Sequence, residues 1–127
     1  MIILSIVMGA AFLVVPLLLG IGLRQYPPKN INSEYGFRTG TTSKNQDTWD
    51  YSQKLAGNAM MVCSGIGMLV YALLLVINPG FLEIIPGRGG ADLSRMYLGL
   101  ALALIVFIVV IVFVQIKAKR FWENSIK

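Results

Sequence analysis

Long apolar runs alternate with short polar stretches along the chain, and the apolar runs have helix length rather than strand length. Ile2 to Leu23 carries no charged residue, and neither does Ala56 to Ile77 or Met96 to Ile116. At 1.5 Å per residue, each is long enough to cross a hydrocarbon layer about 30 Å thick. The pattern predicts an all-α membrane protein with three transmembrane helices in a single domain. The first span covers 2–23 and a motif loop follows over 24–43. A long second helix covers 44–77, with its 56–77 portion in the membrane. A second loop covers 78–92, the third span 93–116 and a tail 117–127.

Local signals set these boundaries. A cleaved leader would place basic residues before a shorter apolar core. No charge precedes Leu23 and Arg24 follows it, so the first run is read as a span. Pro16 removes one backbone donor inside that helix, and Pro27-Pro28 ends it. Gly20 and Gly22 offer close helix contact. Ser43 and Gln46 have the spacing of a capping box for the second helix, whose early turns carry Asp47 and Asp50. Asn78-Pro79-Gly80 closes that helix, and Asp92 is the expected cap of the third. Ile105 to Val114 is β-branched or Phe throughout; within an unbroken apolar run this marks a lipid-exposed helix rather than a strand. Ala59, Cys63 and Gly67 recur every fourth residue and predict a strip for helix packing, against this chain or a second copy.

Composition agrees: 56% of the residues are hydrophobic and 13% charged, with a mean hydropathy of +0.70. A soluble domain carries roughly a quarter charged residues. The net charge of +5 lies beside the apolar runs, which favours lipid headgroups over nucleic acid as its counterpart. There is no histidine and one cysteine, Cys63, so neither a disulfide within the chain nor a histidine metal site is expected. No cofactor pattern is present.

Charge distribution predicts orientation. The first loop and the start of the second helix hold Arg24, Lys29, Arg38, Lys44 and Lys54, and the tail holds Lys117, Lys119, Arg120 and Lys127. The second loop region has only Arg88 and Arg95. The positive-inside rule puts the N-terminus outside, and the motif loop and C-terminus in the cytoplasm of a multi-pass protein of the cell membrane.

Most chemistry-bearing residues fall between Asn32 and Trp49. Without His or Cys there, the stretch suits binding better than catalysis, and no enzyme is expected. Arg38 brings a five-donor fork for carboxylate or phosphate. Tyr35 and Trp49 bring aromatic faces, and Asn32 and Asn45 both donate and accept. The bland alternatives are that Arg38 pairs with Asp47, Trp49 anchors the helix at the interface, and Asn32 shapes a turn.

The same stretch resembles the signature of the SdpI family of small bacterial membrane proteins. Asn32, Tyr35, Gly36, Phe37, Arg38 and Thr39 match its first part, Thr42, Lys44, Asn45 and Trp49 its second, and Ala56-Gly57 its end. Gly40 stands where proline is common and Gln53 where Asn is common. The resemblance implies immunity against a peptide toxin, signalling through a cytoplasmic regulator, or both. The partner-binding set is then Asn32, Tyr35, Arg38, Thr39, Lys44, Asn45 and Trp49. The competing readings are an assembly subunit, or homo-oligomer, built on the Ala59-Cys63-Gly67 strip, and a binder of anionic lipid headgroups.

Overall fold

The computed structural model describes residues 2–31, 36–77 and 90–126. They form three helices in an up-down-up bundle: α1 (Ile2–Gln25), α2 (Gln46–Ile77) and α3 (Gly90–Ser125). Every pair of helices is in contact, and all three are long and apolar enough to cross a membrane. Residues 78–89, which hold the second loop, lie outside the described residues, as do Asn32 to Tyr35.

The buried positions trace a seam on each helix. On α1 they are Ser5, Gly9, Leu13, Pro16, Gly20 and Leu23, spaced three or four apart, as one face of a helix requires. Pro16 sits inside the bundle within an unbroken helix. Small residues on the seam let backbones approach. A Cβ on Gly20 would fall 2.8 Å from the Gly57 carbonyl oxygen and 2.9 Å from Met60 Cβ. A Cβ on Gly99 would run into the backbone of Gly9, marking the α1–α3 crossing.

The strip expected on α2 is only partly the packing face. Its buried seam runs through Ala56, Gly57, Met60, Ser64, Gly67 and Tyr71, while Ala59 and Cys63 are half-buried at its flank. With 3.6 residues per turn, an every-fourth row drifts about 40° per step, so it winds from flank to face and only Gly67 is enclosed. The neighbours that a Gly67 side chain would meet are Leu13 and Val106 of this chain.

Length explains the rest. At 1.5 Å per residue, α2 and α3 measure about 48 and 54 Å, well beyond a hydrocarbon layer of about 30 Å. The excess collects at the end that holds the first loop, so the segment expected as a tail continues α3 as helix to Ser125. There the polar start of α2 and the end of α3 pair into a headpiece. Tyr51 and Phe121 stack with ring centroids 4.5 Å apart, and the Lys44 ammonium lies 5.2 Å above the Trp122 ring. Ala118, on the same stretch of α3, is fully buried. At the opposite end, Arg95 donates to Asp92 Oδ1 at 2.6 Å and the Ser5 hydroxyl lies 3.1 Å from the same oxygen, tying α1 to α3. The Tyr71 hydroxyl donates to the Arg95 carbonyl at 3.1 Å and adds α2. Asp92 therefore lies in the first turn of α3 as an ion-pair partner, not at the cap, because the helix already starts at Gly90.

Candidate functional site

The loop between α1 and α2 folds back onto the headpiece and is held there by inward-turned polar groups. Gly36 has a φ of +114°, a backbone conformation that side chains rarely tolerate. A Cβ there would fall 2.6 Å from Pro28 and 2.8 Å from Gln53 Oε1. Directly after it, the Gln53 carboxamide binds the Phe37 backbone at both ends. The Phe37 N–H donates to Oε1 at 2.7 Å, and Nε2 donates to the Phe37 carbonyl at 2.6 Å. One side chain thus completes the polar groups of a buried residue that has no strand partner.

Two further devices fix the turn. The Thr39 N–H donates to Thr42 Oγ1 at 2.8 Å, and the Thr42 N–H donates to Thr39 Oγ1 at 3.2 Å. The next residues lead into α2, whose cap is Asn45: the Thr48 N–H donates to its Oδ1 at 2.8 Å. Helix α2 therefore begins two residues after Lys44. The Ser43–Gln46 capping box does not form; Gln46 instead donates to the Lys29 carbonyl and, at 2.8 Å, to Asp50. The loop also reaches α3, where Gln115 Nε2 donates to Thr41 Oγ1 at 2.7 Å.

Trp49 has no exposed surface, and its Nε1–H donates to the Pro28 carbonyl at 2.8 Å. The aromatic face expected to meet a partner, or the bilayer interface, is enclosed between loop and helix. A large ring placed one turn into α2, opposite a proline-stiffened chain, packs against that chain. The other sequence-expected residues divide in the same way. Lys44 lies over Trp122, Asn45 caps α2, and Thr39 is held in the turn. Asn32 and Tyr35 lie outside the described residues.

Arg38 is the exception. It is exposed, and it has no ion pair or side-chain hydrogen bond among the described residues; the pair with Asp47 does not form. Its segment roofs a cleft of about 430 Å³ lined by Leu19, Leu23, Gly36, Phe37, Arg38, Thr39, Met60, Phe107 and Ile111. The helix walls are apolar, and Arg38 is the charged residue of the lining. The surrounding headpiece is basic: Arg24, Lys29, Lys44, Lys54, Lys117, Lys119 and Arg120 stand at the same end, against Asp47, Asp50 and Glu123.

Sequence reasoning missed Gln53, Thr41 and Gln115. A signal existed for the first: Asn and Gln share a carboxamide, so a position that takes either calls for a paired donor and acceptor.

Three membrane-length helices and a folded headpiece define a small multi-pass α-helical membrane protein. Residues 29–116 match the family model described as the SdpI/YfhL protein family, and the chain belongs to that family. A relative, Uncharacterized protein YfhL of Bacillus subtilis (strain 168), is 35% identical over 66 residues. Those residues cover 52% of this chain and 59% of that relative, so less than two thirds of the relative's length is matched. No solved structure matches the chain.

Proposed function

We propose that the chain is an SdpI-type immunity or signalling protein of the cell membrane, working by binding rather than catalysis. It binds a peptide toxin or a cytoplasmic regulator at the headpiece face that carries Arg38. Family membership supports the class of role. The basic headpiece supports a cytoplasmic position for that face, by the positive-inside rule.

The observation that carries the reading is a contrast within one loop. Gln53, Thr42, Asn45 and Trp49 are all turned inward and bonded, while Arg38 is exposed and has no side-chain partner among the described residues. A segment whose only task is to join two spans needs no such frame. A framed cation is preorganised for a carboxylate or phosphate and loses little freedom on binding. The assembly-subunit reading has weaker support, because Gly67 of its strip is enclosed by the chain's own helices.

The test is protection. A toxin-sensitive bacterium expressing the chain is challenged with the cognate peptide toxin. Wild type is expected to protect, and Arg38→Ala to lose protection at an equal amount of membrane-inserted protein. Killing unchanged by the wild-type chain removes the immunity role. Protection unchanged in Arg38→Ala removes the assigned face.

A further inference from the structure

The structure assigns the cleft beneath Arg38 as a site for one anionic phospholipid, with an acyl chain between the helices and its phosphate on the guanidinium. The assignment shares the Arg38 face with the function proposed above but does not depend on immunity.

The walls and the opening argue for an acyl chain. Leu19 and Leu23 of α1, Met60 of α2, and Phe107 and Ile111 of α3 form the helix sides, and none of these side chains has an N–H or O–H group; the polar lining comes from the loop, at Arg38 and Thr39. Leu19 and Ile111 of the lining remain 48% and 46% exposed on helices long and apolar enough to cross a membrane, so the apolar side of the cleft is reachable from outside the bundle. A volume of about 430 Å³ lies within the roughly 300–1,000 Å³ of small-molecule sites. Left empty, such a space forfeits dispersion contacts along its whole lining. A peptide entering between the helices would bring backbone polar groups that these apolar walls cannot satisfy. A hydrocarbon chain has no such groups.

The rim argues for the headgroup. Of the α1 residues that line the cleft, Leu23 is the last before Arg24, the first charge of the chain. The end of a charge-free run at a basic residue is where a span meets the headgroup layer. Arg38 stands there with five donors and no partner among the described residues, which suits the bidentate geometry of a phosphate. The basic headpiece around it adds attraction to an anionic surface with each cation near that surface.

The test uses the full chain in mild detergent and native mass spectrometry, with phosphatidylglycerol and phosphatidylcholine as probes. Wild type is expected to retain phosphatidylglycerol at least about fivefold over phosphatidylcholine. Arg38→Gln is expected to lose that preference while still binding both lipids. Ile111→Trp and Leu19→Trp, which fill the cleft from half-exposed positions, are each expected to lose retention of both, with helix content and elution unchanged. Soluble glycerol phosphate in excess is expected not to displace the lipid. Equal retention of both lipids by wild type overturns the headgroup assignment, as does an undiminished preference in Arg38→Gln. Retention undiminished in both tryptophan variants overturns the acyl site. Displacement by glycerol phosphate reduces the site to a phosphate site and overturns it too, and a bound polypeptide in place of lipid gives the cleft to a different class of partner. No toxin is present, so a negative result here leaves the protection assay to decide the immunity reading by itself.

Discussion

Gln53 and Phe37 are joined by two hydrogen bonds of 2.7 and 2.6 Å, and through this one carboxamide α2 holds the loop that carries Arg38. Both residues are buried, Gln53 completely. Replacing the amide leaves the buried Phe37 N–H unpaired, at about 1–3 kcal/mol, and leaves its carbonyl only a long 3.5 Å bond from the Thr42 hydroxyl. Gln53→Leu is therefore expected to free the loop while leaving the spans assembled. Gln53→Glu is expected to do worse, because a carboxylate oxygen then faces the Phe37 carbonyl. Limited trypsin digestion at Arg38 checks this: both variants should be cut faster than wild type, with Gln53→Glu the faster.

Trp49 and Arg38 both belong to the family signature but separate in their expected behaviour. Trp49→Ala empties a fully enclosed site and is expected to cost about 3–5 kcal/mol. Trp49→Phe keeps most of the packing but loses the bond to Pro28, about 1 kcal/mol. Arg38→Ala removes an exposed side chain with no partner among the described residues and should leave thermal stability in detergent within about 0.5 kcal/mol of wild type. Melting followed by circular dichroism checks the order. A Trp49→Ala protein as stable as wild type would mean that the ring does not hold the loop.

The helix crossing at Gly9 and Gly99 admits no added carbon. Gly99→Ala is expected to push α1 and α3 apart and lower the yield of monodisperse protein severely, because the obstacle is backbone and cannot swing aside. Gly65 has nothing within 4 Å of an added Cβ, so Gly65→Ala should behave as wild type. Size-exclusion chromatography of the two variants side by side gives the comparison.

The headpiece depends on the end of α3. The stacked Tyr51–Phe121 pair is expected to show a coupling of about 0.5–1.5 kcal/mol in a double-mutant cycle, beyond the area each ring buries. Phe121→Ala should also expose Lys44 to trypsin, since the Lys44 ammonium rests on Trp122 one residue further along. A coupling near zero would leave the tail without a role in holding the loop.

What the sequence determined by itself is the set of things a bilayer forces. A charge-free run of span length has one stable conformation in lipid, because each backbone group must find its partner within the helix. Three spans therefore follow from Ile2–Leu23, Ala56–Ile77 and Met96–Ile116 without any knowledge of their neighbours. The Asn32–Trp49 pattern likewise carried the family, since it rests on residue identity and spacing alone. Only the tertiary structure decided which members of that pattern face inward. Asn45, Trp49 and Gln53 have polar groups that serve equally well as ligands or as ties. The choice depends on whether a carbonyl such as that of Pro28 or Phe37 comes within about 3 Å, which follows from the angles at which three helices meet. The same packing built the headpiece from two overlong helix ends, and it left Arg38 exposed at an apolar cleft, without a side-chain partner among the described residues.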